Sequence, residues 1–278
     1  MQDYFLSAFA DEFSSDFETQ CKALNKFGFS HIELRGINGK NVSTLIDEEV
    51  EMVKNTLIRY NVKVSSIGSP LGKISLDGDV DLHFETAKNV FNIAKNLGAK
   101  YVRVFSFYLP EGKTRKDCKG QVVKLLEKLL DMADDYGVTL CHENEALIYG
   151  ESPDDCLFLL NTFNGRLKCV FDMGNFVLDG YNPFDAYKKL YDYIQYFHVK
   201  DALYEGAIVP AGKGNAEISK ILNDFRKDNK GFFITLEPHL QTFSGLNALV
   251  GKAFDNPFKY ENQEKAFEDA VKKLREIL

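Results

Sequence analysis

Short apolar runs alternate with longer amphipathic segments eight times along the chain, and this repetition limits the possible folds more than any other feature. The longer segments carry apolar residues at helical spacing, as at Val90, Ile93 and Ala94. The runs predict strands at 4–9, 30–35, 62–67, 100–106, 137–143, 167–172, 194–200 and 232–237. The longer segments predict helices at 15–27, 46–60, 80–98, 115–136, 153–163, 183–191, 216–229 and 260–277.

Eight strands alternating with eight helices predict a closed parallel (β/α)8 barrel, a TIM barrel, as a single domain over 1–278. Helix boundaries agree with this pattern, because Ser152-Pro153 and Asn182-Pro183 each place an N-cap residue before a proline at the first helical position. An open doubly wound sheet is the alternative. Both the count of eight and the length of 278 residues favour the barrel.

Charge and composition narrow the class of partner. A net charge of −7 and a pI near 5.4 argue against a nucleic-acid surface, which requires clustered Lys and Arg. No run approaches the roughly 18 apolar residues of a membrane span, and the first residues lack the pattern of a signal peptide. Five cysteines without Cys-x-x-Cys spacing are typical of reduced thiols, so we expect a cytoplasmic protein that binds neither nucleic acid nor membrane.

Four acidic or histidine residues occur where the last four predicted strands end: Glu143, Asp172, His198 and Glu237. In a parallel barrel the carboxyl ends of the strands meet at one mouth, where active sites are built. Three carboxylates and one imidazole at one point predict a site for one divalent metal ion, Mn²⁺, Mg²⁺, Co²⁺ or Zn²⁺. Any one of them alone is more often an ordinary polar residue at a strand end, because the loops at the mouth are polar in any case.

Strand alternation tests this prediction. In the fifth strand Glu143 shares a face with Cys141, whereas His142 points the other way. The same parity directs Glu33, Arg35 and Arg103 into the barrel. Because neither charge is tolerated alone in an interior, we expect a buried ion pair between Glu33 and Arg103.

The four ligands would leave room on an octahedral ion for two substrate oxygens, as a vicinal hydroxy-ketone provides. A metal there would polarise the carbonyl and stabilise an enediolate. Glu143 and Glu237 would flank the substrate from opposite walls, so that one removes the proton beside the carbonyl and the other returns it.

Further residues near the strand ends are candidates for substrate binding, although each also has a purely structural interpretation. Lys200 and Asp201 follow the proposed histidine ligand, and Glu145 has the parity of Glu143. The stretch 211–215 precedes a helix and predicts a weak anion site. The complete candidate set is Ser69, Lys73, Arg35, Glu145, Asn175, Lys200, Asp201 and His239.

Several short sequences together resemble the xylose isomerase-like barrel superfamily of sugar phosphate isomerases and epimerases. They are ELR at 33–35, GSPLGKI at 68–74, HEN at 142–144, FDMGN at 171–175, HVKD at 198–201 and LEP at 236–238. The resemblance implies that Glu143, Asp172, His198 and Glu237 bind the metal, that the two glutamates form the acid/base pair, and that the protein is a homo-oligomer. Asn175 departs from the pattern, since many relatives carry a histidine there.

These features favour a metal-dependent isomerase or epimerase of a small sugar, sugar phosphate or keto-polyol, acting by proton transfer through a metal-bound enediolate. The alternatives are a metal-dependent dehydratase of a keto-polyol, a repair nuclease or phosphodiesterase, and a sugar-binding barrel without activity. The nuclease branch of the superfamily uses more histidines for several zinc ions, and this chain has five in all. The segment 239–259 is predicted to be a long loop that covers the site.

Overall fold

A computed structural model describes residues 3–241 and 257–278. Most of the predicted loop 239–259 therefore lies outside the described residues. Within them, eight parallel strands are arranged in chain order: β1 Tyr4–Ala8, β2 His31–Leu34, β3 Lys63–Ile67, β4 Tyr101–Val104, β5 Thr139–Glu143, β6 Lys168–Asp172, β7 Ile194–Val199 and β8 Phe232–Leu236.

Each strand pairs in parallel with its neighbour in sequence from β2 to β8, and β8 pairs in parallel with β1. Strands β1 and β2 lie side by side at the remaining seam, so the sheet is a nearly closed barrel. The predicted fold, a single (β/α)8 barrel, is confirmed. The carboxyl ends of the strands consequently open on the same side.

Helices follow the strands: α1 Phe17–Lys26, α2 Asp47–Tyr60, α3 Val80–Leu97, α4 Arg115–Tyr136, α5 Pro153–Thr162, α6 Met173–Leu178, α7 Pro183–Leu190, α8 Ile218–Asp228 and α9 Gln263–Ile277. The eight predicted helices are present with slightly shorter ends, and α6 was not predicted. It starts without a loop, because Asp172 both ends β6 and caps α6 by accepting a hydrogen bond from the Asn175 N–H at 2.8 Å. Two short hairpins, 36–41 and 201–209, were not predicted either.

Apolar residues form two separate clusters. The larger one fills the layer between the sheet and the helices, whereas a small cluster of Cys141, Val170 and Tyr196 lies inside the barrel. Toward the mouth the interior also holds buried charged residues, among them Glu33, Arg103, Glu143 and His198. No helix of the described ranges is long and apolar enough to cross a membrane.

Candidate metal centre

The four predicted ligands converge at the mouth of the barrel. Glu143 and Asp172 are the last residues of β5 and β6, His198 lies in β7, and Glu237 directly follows β8. All four are buried, and one ligand atom from each lies within 4.8 Å of those from the others. The strand ends and the parity of the side chains therefore bring together the group that the sequence indicated.

His198 uses its two ring nitrogens in opposite directions. Nδ1 lies 2.7 Å from Oε1 of Glu143 and 3.2 Å from Oε2 of Glu237, whereas Nε2 lies 3.1 Å from Oε2 of Glu33. Edge-on contact with the Phe9 ring, at a centroid distance of 5.1 Å, fixes the plane of the imidazole. Burial opposes protonation, but the surrounding carboxylates of Glu143, Glu33 and Glu237 raise the pKa of His198 well above its ordinary value.

Glu143 and Asp172 each have a buried cation beside them. Nη1 of Arg103 lies 3.1 Å from Oε2 of Glu143. Nζ of Lys200 lies 3.0 Å from Oδ2 of Asp172 and donates to Oδ1 of Asn175, also at 3.0 Å. Burial raises the pKa of Asp172 to about 7, against the opposing effect of the Lys200 charge. The carboxylates are thus held in place before any metal binds.

Arg35, a predicted substrate contact, makes an ion pair with Glu237. Its Nη1 donates to Oε1 of Glu237 at 2.8 Å, and its other nitrogens donate to both oxygens of Asp11 at 2.9 and 3.0 Å and to Glu12 at 3.1 Å. Such a bidentate pair fixes the orientation of a guanidinium strongly. The structure therefore gives Arg35 a positioning role.

A second cluster beside the first contains Glu12, Glu237 and His239, whose ligand atoms also approach one another within 4.8 Å. Nε2 of His239 lies 3.4 Å from Oε1 of each carboxylate. Burial raises the pKa of Glu12 to about 8 and lowers that of His239 to about 3. Because the Arg35 guanidinium already contacts both carboxylates, we interpret this cluster as an ion-pair network and not as a second metal site.

The predicted ion pair between Glu33 and Arg103 is wrong, although both side chains are buried as expected. Arg103 lies opposite Cys141 in the parallel register of β4 and β5, so the next inward residue along β5 is Glu143, which it contacts. Glu33 faces His198 across the barrel and accepts a second hydrogen bond from the Tyr196 hydroxyl at 3.0 Å.

Lys73 and Glu145 form an ion pair at the mouth, with Nζ of Lys73 2.7 Å from Oε2 of Glu145. The Lys73 ammonium also lies over the ring of Phe105, 4.4 Å from its centroid. The Lys73 and Lys200 charges, outweighing the effect of burial, lower the pKa of Glu145. Both predicted substrate contacts thus lie near the centre, already paired with each other.

Asp201 and Ser69, both predicted to contact substrate, have hydrogen-bond partners within the protein. The Asp201 carboxylate accepts hydrogen bonds at 2.8 to 3.0 Å from the backbone N–H groups of Ala202, Gly212, Gly214 and Ala216. The Ser69 hydroxyl donates to the carbonyl oxygen of Arg103 at 2.5 Å. The predicted anion site at 211–215 therefore holds a carboxylate of the protein itself.

Asn144 and Asn175 join the ends of β5 and β6. Asn144 accepts from the Asp172 N–H at 3.1 Å and donates to the Asp172 carbonyl at 3.0 Å, and Asn175 donates to the Asn144 carbonyl at 2.8 Å. Asn144 was not singled out from the sequence. The sequence feature that could have identified Asn144 is its position directly after the candidate ligand Glu143. His142 points outward, as parity predicted, with Nε2 3.0 Å from the Ser106 hydroxyl.

The donor set fits a hard or borderline divalent cation. Three carboxylates and one imidazole match the oxygen and nitrogen preferences of Mg²⁺, Mn²⁺, Co²⁺ and Zn²⁺. Within the described ranges, buried Oε2 of Glu143 makes an ion pair with Arg103 but no hydrogen bond of good geometry, so it retains a lone pair for coordination. The residues present are those that such an ion requires.

Comparison with known proteins agrees with this geometry. The family model for the xylose isomerase-like TIM barrel matches residues 21–277. A search of the curated proteins by sequence found no significant match.

Several solved structures share the fold. The zinc-bound IolI protein is 17% identical with a TM-score of 0.75, covering 98% of this chain and 97% of its own. D-allulose 3-epimerase from Methylomonas sp. in complex with D-allulose is 15% identical with a TM-score of 0.75, covering 100% and 98%. The probable 3-DHS dehydratase AsbF from Bacillus anthracis is 19% identical with a TM-score of 0.72, covering 99% of each chain. The chain belongs to the xylose isomerase-like TIM-barrel family.

Proposed function

We propose that the protein is a divalent-metal-dependent isomerase or epimerase of a small keto-sugar, which works by proton transfer at the carbon beside the carbonyl. The observation that carries the proposal is the placement of two buried glutamates, one from the end of β5 and one from the end of β8, beside the same nitrogen of one imidazole. Oε1 of Glu143 and Oε2 of Glu237 lie 2.7 and 3.2 Å from Nδ1 of His198. An epimerase or isomerase of this type needs one group to remove a proton and another to return it.

The centre would hold one ion through Glu143, Asp172, His198 and Glu237. A bound divalent cation there would polarise a substrate carbonyl and stabilise the negative charge that develops on its oxygen. One glutamate would remove the proton from the substrate carbon and the other would return one to it, each through a carboxylate oxygen that the ion does not use. The solved relatives with bound zinc and with bound D-allulose support both a metal and a small carbohydrate as partners.

An uncharged sugar suits the mouth better than a sugar phosphate. Three features of the mouth could in principle attract a phosphate: Lys73, Lys200 and the loop that contains Gly212. In the structure each of them contacts a carboxylate of the protein, namely Glu145, Asp172 and Asp201 respectively. A phosphate would have to displace an internal carboxylate at each of these positions, and two of those carboxylates, Asp172 and Asp201, are buried, which adds a desolvation cost.

Exchange of substrate hydrogen with solvent tests the proposal directly. The metal-loaded protein is incubated in D₂O with a panel of ketopentoses and ketohexoses, free and phosphorylated, and deuterium is followed by NMR and mass spectrometry. We expect deuterium at the carbon beside the carbonyl, together with an epimer or isomer of a free ketose. Conversion without deuterium would contradict the proton-transfer mechanism in favour of a hydride shift.

A dehydratase is the second candidate, because AsbF shares the fold and because removal of the same proton can expel a β-hydroxyl group. It would yield an enone that absorbs in the ultraviolet, whereas an epimer would not. Appearance of that chromophore with keto-polyols would replace the isomerase assignment. Two or three metal equivalents per chain would instead favour a nuclease.

A further inference from the structure

Glu33 lies below the metal centre, on the opposite side of His198 from the other carboxylates. Its side chain is buried, with 1% exposure. It lies in β2, which is distant in sequence from β7, the strand of His198. Its Oε2 is 3.1 Å from Nε2 of His198, and its Oε1 accepts a hydrogen bond from the Tyr196 hydroxyl at 3.0 Å. Both oxygens of this buried carboxylate are therefore engaged below the imidazole.

The contacts of Glu33 define which nitrogen of His198 carries hydrogen. A carboxylate that already accepts from Tyr196 acts as an acceptor toward Nε2 as well, so Nε2 is the protonated nitrogen. Nδ1 then points at Glu143 and Glu237, the side on which the metal would bind. Metal-binding histidines commonly donate their other N–H to a carboxylate, which fixes the tautomer and increases the basicity of the ligand nitrogen.

We propose that Glu33 is a positioning residue that fixes His198 as an Nδ1 metal ligand by accepting its Nε2–H. The inference rests on the metal centre of the proposed function and adds a residue to it that does not touch the ion. Glu33 would act together with Tyr196, whose hydroxyl lies 2.9 Å from that of Ser66 and is held in place from two sides.

A buried carboxylate in this position requires such a role, because burying a charge without a partner is costly. The Arg103 charge also acts on Glu33, but the direct ion pair of Arg103 is with Glu143. The contacts of Glu33 are hydrogen bonds to His198 and Tyr196, so an apolar residue of similar size would remove the cost of burial. The carboxylate of Glu33 is explained by its hydrogen bond from Nε2 of His198, which orients the imidazole.

The test uses Glu33→Gln and Glu33→Leu, with Tyr196→Phe as the matched control that leaves the contact between Glu33 and His198 in place. Isothermal titration with Mn²⁺ and Zn²⁺ gives the affinity of each variant, and ¹⁵N spectra of the histidine side chains in the zinc-loaded proteins give the tautomer of His198. We expect Glu33→Leu to weaken metal binding by about 10- to 100-fold, the usual effect of removing such a partner. Glu33→Gln should weaken it less, and Tyr196→Phe least.

The spectra separate positioning from a general effect on folding. The wild-type protein and Tyr196→Phe should show metal on Nδ1 and hydrogen on Nε2 of His198, and Glu33→Leu should show a mixture of tautomers. Unchanged affinity and an unchanged tautomer in both Glu33 variants would overturn the role of Glu33 and leave the metal centre intact. If the wild-type protein binds neither ion, the proposed function fails and this inference fails with it. If Glu33→Leu does not fold, Glu33→Gln decides alone.

Discussion

The two halves of the barrel contribute different parts of the centre. Strands β5 to β8 end in the four candidate ligands, whereas β2 and β4 supply the partners that hold them: Arg35, Arg103 and Glu33. Lys200 is the exception, since it follows β7 and pairs with Asp172. The comparison shows that a metal site in a barrel is divided between residues that would touch the ion and residues that fix those residues from the facing wall.

The largest effect expected from a change in the second half is loss of the metal itself. Asp172→Ala should abolish the single equivalent of bound ion, measured by elemental analysis of the purified protein. Because Asp172 also caps α6, Asp172→Asn is the matched control: its amide oxygen can still accept from the Asn175 N–H. If Asp172→Asn keeps a full equivalent at wild-type affinity, the carboxylate is not a ligand.

The acid/base pair should show the next largest effect. Glu143→Gln and Glu237→Gln should each reduce kcat by at least about 10²-fold, as expected for an essential proton-transfer group. Glu145→Gln is the control two residues beyond Glu143. It loses an ion pair at the mouth and should reduce kcat by less than about tenfold. Near-normal turnover in both ligand variants would contradict their assigned role.

A change in the first half of the barrel should mainly lower the free energy of unfolding. Arg103→Met leaves the buried Glu143 carboxylate without its cation, which typically costs about 3–5 kcal/mol. A bound divalent ion can replace that cation, so the increase in Tm on adding Mn²⁺ should be larger in the variant than in the wild-type protein. Equal increases in Tm would show that Arg103 does not act through Glu143.

The pH should change the metal affinity of the centre gradually, and by less than the substitutions above. In the metal-free protein the carboxylates around His198 raise its pKa despite burial, and burial raises the pKa of Asp172 to about 7. A metal must displace these protons, so its affinity should increase as the pH rises through about 7, with proton release. Titration calorimetry in two buffers of different ionisation enthalpy measures that release. Affinity independent of pH between 6 and 8 would contradict it.

The fold and the convergence of the four candidate ligands were predictable because both depend on local periodicity. Alternation along β5 places Glu143 inside and His142 outside, and the parallel order of the strands brings their ends together. The residues that contact the candidate ligands were harder to predict, because their contacts depend on how far a side chain reaches across the interior. Arg103 reaches Glu143 on the next strand and not Glu33, and no rule of spacing distinguishes the two. Helix α6 was not predicted because no loop separates it from β6. Asp172 is the last residue of β6, the N-cap of α6 and a candidate ligand.

The Asp201 carboxylate occupies the backbone N–H groups of the loop after β7. In TIM barrels the loops after the seventh and eighth strands frequently form the phosphate site. Here the Asp201 carboxylate takes the backbone N–H groups that a phosphate would take, and a Cβ at Gly214 would lie 2.3 Å from its Oδ1. Replacing Asp201 by glycine would free four donors at the rim of the site. If the proposed function holds, the choice between free and phosphorylated sugars would depend on this single side chain, which lies outside the candidate metal centre.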